Sequence, residues 1–346
     1  MNLHKIVLDS KIQLEKGGQL PGLEVAYHTS GKLNSDASNV IWVCHALTAN
    51  SNPAEWWEGL FGANAPYASD DYFVVCVNML GSPYGTTSPL DVNPETGESY
   101  FHSFPEFTNR DVVQVFELVR QHLQINKIHT LIGGSLGGQQ ALEWTIINPE
   151  VTDQLILVAT NAKHSPWGIA FNESQRLAIQ ADQTWVENQP EAGKQGLKAA
   201  RSMALLSYRN HEAYNSTQED ENEDLSRLFK AQTYQQYQGE KLINRFNAYS
   251  YYRLTQAMDT HNVGRNRGGV KTALSQVNVE TLVVSMEGDL LFPPEEQLFL
   301  AKYIPNARWY EVKTKFGHDG FLIETPQLVE LFKEFIKPVQ EITPVG

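Results

Sequence analysis

The sequence predicts an α/β fold in which a mostly parallel central sheet carries helices on both faces and an inserted helical cap. Two continuous apolar runs, residues 40–44 and 72–77, have the composition of strands buried on both faces of a parallel sheet. Strand-like and helix-like segments then alternate up to residue 159, which is typical of parallel strands joined by crossover helices. Helical periodicity dominates from about 164 to 277, and strand-like sequence resumes at 281–285. The helical block is therefore predicted to be a cap inserted into the sheet domain.

The chain has 346 residues, which suits one elaborated domain with an insertion. We predict a first core segment at 1–163, a helical cap at 164–278 and a second core segment at 279–346. The start of the chain lacks the apolar centre of a signal peptide, and no apolar run approaches the roughly 20 residues of a membrane span. We therefore expect a cytoplasmic protein without a membrane partner.

The net charge of −13 argues against a nucleic-acid partner, because such partners favour basic surfaces. An anionic substrate such as a coenzyme A thioester would need a local basic patch against this overall charge. Cys44 and Cys76 both lie inside strand-like runs, so we expect reduced core residues rather than a disulfide or a metal pair. No metal site and no bound cofactor is predicted.

The segments outside the alternating pattern are more irregular. Residues 12–14 and 23–27 predict a small antiparallel unit near the start of the chain. Residues 88–107 are rich in proline, glycine and aromatic side chains and indicate a long surface loop. The acidic run at 219–224 marks an exposed connection within the cap.

A helix is predicted to begin where Thr108 precedes Asp111 by three residues, because this spacing resembles a capping box. One apolar stripe along this helix would face the core. The stripe consists of Val112, Val115, Phe116 and Val119.

The stretch Gly133-Gly134-Ser135-Leu136-Gly137 lies between a strand-like run at 128–132 and a helical segment that ends at Pro149. It fits GxSxG, the nucleophile elbow, in which glycines flank a serine because the turn is too crowded for side chains. The helix that follows offers free N–H groups and the positive end of its dipole to an oxyanion. We therefore predict acyl chemistry at Ser135, with the N–H of Leu136 as one oxyanion donor.

The loop at residues 45–50 follows the strand at 40–44, where functional loops of parallel sheets collect. A second oxyanion donor is expected in such a loop, and we assign it to the backbone of Leu47. His45 is either a base or, as we favour, a structural residue that leads the loop. Trp56 and Trp57 are expected to pack the loop down.

An acid and a base should follow the serine along the chain. Asp289 comes after a turn glycine in the loop behind the strand that resumes the sheet, and Glu287 is its rival. Of ten histidines, only His318 lies after Asp289 in a glycine-flanked loop behind a terminal strand, residues 309–313. The order Ser135, Asp289, His318 is the one used by α/β-hydrolase folds. His318 would take the proton from the serine, and Asp289 would orient the imidazole.

Further segments add to this pattern: His45-Ala46-Leu47-Thr48, Gly85-Thr86-Thr87, Phe104-Pro105 with Thr108 and Arg110-Asp111, Gly133 to Gly138, Phe171-Asn172-Glu173, and Gly317-His318-Asp319. With them the chain resembles the homoserine O-acetyltransferase family of α/β-hydrolase fold enzymes over nearly its whole length. The resemblance implies acetyl transfer from acetyl-CoA, as co-substrate, to the hydroxyl of L-homoserine in methionine biosynthesis. It also implies a double displacement through an acyl-serine and a homodimer paired through the cap.

By the same resemblance, Thr48, Arg201, Tyr208 and Asp319 should meet the amino and carboxylate groups of homoserine. Arg201 and Tyr208 are seven residues apart, about two turns of one helix, so both can face one pocket. An arginine can hold a carboxylate with two hydrogen bonds, and Asp319 suits an ammonium group.

The chain departs from the family pattern in three places. Leu136 replaces a methionine, which is harmless because only the backbone N–H acts. Thr48-Ala49-Asn50 replaces Thr-Gly-Asp, and Gly320 replaces an alanine, so succinyl-CoA as donor, L-serine as acceptor and an esterase of the same fold stay open alternatives. The candidates for contact with coenzyme A are Lys163, Arg176, Arg209 and Arg245, and the sequence does not rank them.

Overall fold

The computed structural model describes residues 1–8, 11–67, 71–221 and 228–339. The strands in these residues, numbered in chain order, are β1 (Asn2–Leu8), β2 (Ile12–Gln13), β3 (Gln19–Leu20), β4 (Leu23–Ser30), β5 (Val40–Cys44), β6 (Phe73–Val77), β7 (Ile128–Gly134), β8 (Thr152–Val158), β9 (Glu280–Met286) and β10 (Ala307–Val312). Eight of them form one sheet in the order β1-β4-β6-β5-β7-β8-β9-β10. All neighbours from β6 to β10 are parallel, whereas β4 is antiparallel to both β1 and β6. The mostly parallel sheet is therefore confirmed.

The helices are α1 (Pro53–Trp56), α2 (Glu58–Phe61), α3 (Asn109–His122), α4 (Leu136–Ile147), α5 (Pro166–Gln180), α6 (Lys194–Tyr208), α7 (His211–Gln218), α8 (Lys230–Ile243), α9 (Ala248–Asp259), α10 (Val270–Leu274), α11 (Pro294–Tyr303), α12 (Gly320–Ile323) and α13 (Thr325–Phe335). Successive residues of a strand face opposite sides of a sheet, and in β5 Trp42 joins one buried cluster while Ile41 joins the other. Residues of α3, α4 and α11 contribute to the first cluster, and residues of α1, α2 and α13 contribute to the second. Helices therefore cover both faces of the sheet, as predicted.

Helices α5 to α10 lie between β8 and β9, in the block where the sequence predicts a cap. The cap boundaries at residues 164 and 278 stay a prediction. Residues 219–221 of the acidic run are exposed, as expected, and residues 222–224 lie outside the described residues. Among the described helices, none combines the length and the apolar composition needed to cross a bilayer.

The N-terminal pairing differs from the prediction. Residues 12–13 pair with 19–20 in a separate two-stranded sheet, rather than with the segment at 23–27, which joins the main sheet as β4. Strand β1, most of whose side chains are exposed, is not predicted from the sequence. An edge strand solvated on both faces carries no apolar alternation, so its sequence gives little sign of a strand.

Other local predictions are confirmed. Thr108 caps α3, and its own N–H donates to Asp111 at 2.7 Å, which completes a capping box. Residues 88–107 contain only a short 3₁₀ turn, Phe101–Ser103, and one isolated bridge between Val92 and Ser99. Cys44 and Cys76 are free and buried, and burial raises the pKa of both thiols.

Candidate active site

Ser135 lies between β7 and α4 in a strained backbone conformation. Its φ of 56° and ψ of −125° lie outside the regions that residues other than glycine normally occupy. Two hydrogen bonds hold this conformation: the N–H of Ser135 donates to Val158 O at 2.9 Å, and the Thr160 hydroxyl donates to Ser135 O at 2.8 Å. Both partners lie at the end of β8 or just after it, so the neighbouring strand fixes the serine.

The glycines of the elbow are required by close backbone approaches. A Cβ atom on Gly133 would lie 2.3 Å from the carbonyl oxygen of Gly137. A Cβ atom on Gly137 would lie 2.1 Å from the carbonyl oxygen of Cys44, at the end of β5. Any larger residue at either position would push the serine turn away from the sheet.

The structure brings the three predicted triad residues together. His318 Nε2 lies 3.0 Å from Ser135 Oγ, and His318 Nδ1 lies 2.7 Å from Asp289 Oδ2. The other carboxylate oxygen, Oδ1, accepts hydrogen bonds from the N–H groups of Leu291 and Phe292, each at 2.8 Å. All three side chains are buried. This arrangement can pass a proton from the serine to the imidazole while the carboxylate fixes the ring.

The rival acid lies elsewhere. Glu287 is exposed and pairs with Lys313 at 3.1 Å, so it does not contact the triad histidine.

The imidazole of His318 is enclosed by aromatic rings. Phe292 stacks on it with 5.2 Å between the ring centres, and Phe321 meets it edge-on at 5.3 Å. These rings restrict the rotation of the imidazole and exclude water from one side of it.

The two predicted oxyanion donors lie close to the serine. Leu136 begins α4, and the first N–H groups of a helix have no carbonyl partner within that helix. Leu47 lines the same cavity as Ser135. The loop that carries Leu47 is held down by Trp56, whose Nε1–H donates to Asn50 O at 2.9 Å, as expected.

The geometry favours a structural role for His45. Its Nδ1 pairs with Ala46 O at 2.9 Å, and its Nε2 accepts from the N–H of Met79 at 3.2 Å. Both ring nitrogens are therefore used, and the ring is fully buried. Burial lowers its pKa from 6.5 to about 4, so the imidazole stays neutral. It ties the loop to the segment that follows β6.

Acid is expected to destabilise the protein through its buried histidines. Burial lowers the pKa of His45 and His164 to about 4 and that of His261 to about 3. The unfolded chain binds protons below its ordinary histidine pKa of about 6.5, whereas these folded rings do not, so stability falls as pH falls. Each ring should remove about 1.4 kcal/mol of unfolding free energy per pH unit between about 6 and 4.

Urea unfolding of the wild type at several pH values between 7 and 4.5 measures how steeply the unfolding free energy changes with pH. The variant His45→Asn should reduce this slope by the contribution of one ring, about 1.4 kcal/mol per pH unit. The control His211→Asn, at an exposed position, should leave it unchanged. Equal slopes for His45→Asn and the wild type would contradict the assignment.

A cavity of about 560 Å³ lies above Ser135. All four predicted substrate residues line this cavity together with Ser135 and His318. They are Thr48, Arg201, Tyr208 and Asp319. The Nη1 atom of Arg201 is buried and has no hydrogen-bond partner in the described part of the chain. The Arg201 guanidinium lies 5.2 Å from the centre of the Tyr208 ring, which places both on one wall.

Of the four candidates for coenzyme A contact, Arg245 lines the cavity. Arg176 is buried and paired with Asp259, and Arg209 pairs with Asp319 at 3.0 Å. Tyr84 and Lys241 also line the cavity, although the sequence does not single them out as site residues. The position of Tyr84 behind β6 was a usable signal, since loops at that edge carry function. Lys241 resembles any exposed lysine on a polar helix face and gave no signal.

The comparisons with known proteins agree on fold and family. Residues 39–325 match the family model described as the alpha/beta hydrolase fold. A homoserine O-acetyltransferase of Cyclobacterium marinum is 46% identical over 324 residues, which cover 94% of this chain and 92% of the relative. The crystal structure of homoserine O-acetyltransferase from Bacillus anthracis has a TM-score of 0.87 at 25% identity and covers 99% of each chain.

The crystal structure of esterase E22 has a TM-score of 0.84 at 21% identity and covers 97% of this chain and 100% of that chain. At this identity the similarity shows the fold alone. The fold is therefore an α/β-hydrolase fold, and the identity to the curated relative decides the family. The chain belongs to the homoserine O-acetyltransferase family.

Proposed function

We propose that this protein transfers an acetyl group from acetyl-CoA to the hydroxyl of L-homoserine, as a step of methionine biosynthesis. One observation carries the proposal: the triad of Ser135, His318 and Asp289 faces a cavity that also contains a cation and a carboxylate. The cation is Arg201, whose Nη1 has no hydrogen-bond partner among the described residues, and the carboxylate is that of Asp319. Such a pair of opposite charges suits a zwitterionic amino acid. Water or a simple alcohol needs neither charge, so the pair favours a transferase over an esterase.

In the first half-reaction, His318 takes the proton of Ser135 as the serine oxygen attacks the thioester carbonyl. The N–H groups of Leu47 and Leu136 would stabilise the oxyanion that forms. The imidazolium then gives its proton to the departing sulfur, and an acetyl-serine remains. No bound cofactor is required, because acetyl-CoA enters as a co-substrate.

In the second half-reaction, His318 takes the proton of the homoserine hydroxyl, whose oxygen attacks the acetyl-serine. The proton then returns to Ser135 as the acetylated product leaves. Arg201 would hold the acceptor carboxylate, and Asp319 would hold the ammonium group. Tyr208 supports the Arg201 side chain, and burial raises the pKa of its hydroxyl, which stays a neutral donor. Thr48, which follows Leu47 in the oxyanion loop, would contact the same substrate.

The donor's negative charge fits the basic side chains of the cavity. Lys241 and Arg245 both line it, although the whole chain carries a net charge of −13. Arg245 is held by Tyr84, whose hydroxyl accepts a hydrogen bond from its guanidinium, and by Thr48 O. We propose that these two cations meet the phosphate groups of acetyl-CoA.

Replacing Lys241 with glutamate is expected to raise the KM for acetyl-CoA roughly three- to tenfold, because a partly solvated charge pair contributes about 1 kcal/mol. The rise should shrink with added salt, which screens exposed charges. Steady-state kinetics at two ionic strengths measure both effects. The matched control is Lys333→Glu on α13, and an equal rise there would refute a local role for Lys241.

A homodimer paired through the cap is also proposed. Exposed apolar side chains on α5, α6 and α8 support it, since solvent-facing apolar residues often mark interfaces. These side chains are Trp167, Leu177, Met203, Leu206 and Tyr237. Light scattering that gives the mass of one chain at micromolar concentration would contradict this proposal.

Mass spectrometry of the acyl-enzyme tests the proposed function. The protein is mixed with acetyl-CoA or with succinyl-CoA, and the adduct is then chased with homoserine, with serine or with buffer. We expect an acetyl adduct on Ser135 that homoserine discharges faster than water or serine does. Discharge at one rate by water and by both amino acids would indicate an esterase, and no adduct with either thioester would reject the proposal.

A further inference from the structure

We propose that Arg209 is a positioning residue that aims the Asp319 carboxylate at the ammonium group of the acceptor. Arg209 would thereby help to set the preference for an amino acid over a hydroxy acid without an amino group. The inference rests on the proposed function, because it assumes that Asp319 receives that ammonium group.

The contact itself joins the cap to the catalytic loop. Arg209 follows the last residue of α6, and its Nε–H donates to Asp319 Oδ2 at 3.0 Å. Asp319 follows His318 directly in the loop behind β10. The two side chains are only 20% and 17% exposed, so solvent screens this ion pair less than a surface pair.

The backbone beside Arg209 packs against the two loops that carry Asp289 and His318. A Cβ atom on Gly317 would lie 3.2 Å from Gly288 O and 3.3 Å from the N atom of Asn210. Gly317 has a φ of 58°, a conformation that favours glycine. The acid loop, the histidine loop and the corner after α6 therefore meet at this point. The backbone of Arg209 is consequently held in a fixed position relative to the triad.

A second element fixes the guanidinium. The Cζ atom of Arg209 lies 5.3 Å from the centre of the Tyr234 ring on α8, within cation–π range. Burial raises the pKa of Tyr234, so this ring stays uncharged. Arg209 is thus held between an aromatic face and the Asp319 carboxylate, and it orients that carboxylate from the side of the cap.

The chemistry of a carboxylate leaves room for a second cation. Each of its oxygens can accept two hydrogen bonds, and Arg209 Nε occupies one site, on Oδ2. Asp319 lines the cavity above Ser135, as does Arg201, whose Nη1 meets no hydrogen-bond partner within the described ranges. An acceptor that gives its carboxylate to Arg201 can therefore give its ammonium group to Asp319. Without Arg209, the Asp319 side chain would lose its fixed orientation and could turn away from that group.

The test compares two acceptors that differ only in the amino group, L-homoserine and 4-hydroxybutyrate. The measured quantity is the ratio of their kcat/KM values, which a general loss of folding or of acylation does not change. In Arg209→Met we expect the preference for homoserine to fall about tenfold or more, mainly through a higher KM for homoserine. The matched control Arg308→Met, at an exposed position on β10, should keep the wild-type ratio.

A double variant separates positioning from simple support of the cap. Asp319→Asn alone should remove most of the preference, and adding Arg209→Met to it should change the ratio no further. Arg209→Met could instead lower kcat/KM for both acceptors by the same factor and keep the wild-type ratio. In that case the contact with Asp319 only stabilises the structure, and the inference is overturned. A wild type that uses both acceptors equally well would instead overturn the ammonium site itself, and with it this inference.

Discussion

Replacing Ser135 with alanine is expected to lower kcat for acetyl transfer by about five to six orders of magnitude, as removal of a triad serine does. The loss should be this large because, in the proposed mechanism, the hydroxyl forms the covalent intermediate. No described side chain can take its place at 3.0 Å from His318 Nε2. The residual rate of the variant is measured by detecting acetylated homoserine over time. The acyl-enzyme should also be missing from the mass spectrum of this variant.

The alanine variant should fold normally, because the Ser135 backbone supplies the two hydrogen bonds to the end of β8. Its far-ultraviolet circular dichroism and melting temperature should therefore match those of the wild type. Ser275→Ala, at an exposed position after α10, is the matched control and should keep full activity. A folded Ser135→Ala variant with more than about a hundredth of wild-type activity would rule out the acyl-serine route, given the losses known for triad serines.

Replacing Asp289 with asparagine should lower kcat by about four orders of magnitude, the loss seen when a triad acid becomes an amide. In the wild type Oδ1 accepts from two N–H groups, those of Leu291 and Phe292. Only the carbonyl oxygen of asparagine can take that place, so its NH₂ group must face His318 Nδ1. The ring would then accept a hydrogen bond at Nδ1 and carry its proton on Nε2, where it could not accept the serine proton.

The control for this variant is Glu287→Gln, two residues earlier in the same loop. Glu287 is exposed and pairs with Lys313, so its replacement should change kcat less than about twofold and the unfolding free energy by less than about 0.5 kcal/mol. Steady-state kinetics and urea unfolding of both variants provide the comparison. An equal decrease of kcat in Glu287→Gln and in Asp289→Asn would contradict the assignment of Asp289 as the acid of the triad.

The sequence predicts the parts of this site that depend on local patterns and chain order. Ser135 has a strand before it and a helix after it, and His318 lies in a glycine-flanked loop behind a terminal strand. Such signals are visible because the backbone itself demands them: a sharp turn needs glycine, and a parallel sheet gathers its loops at one edge.

Contacts made only in the folded chain leave no such signal. Arg209 and Asp319 are 110 positions apart, and nothing near either residue indicates the other. Lys241 reaches the cavity only because α8 packs beside α6, and β1 is a strand only because β4 offers it an edge. These features depend on tertiary packing, which outweighs the local preferences of the segments involved.

The strained backbone of Ser135 also constrains how the protein gains activity as it folds. The turn is confined by the end of β5 on one side and by the end of β8 on the other, so it has no support until both strands have joined β7. Two of the three triad residues then arrive from positions 154 and 183 residues further along the chain, and such distant contacts form slowly. Enzymatic activity should consequently return later in a refolding time course than the far-ultraviolet signal of the sheet and helices.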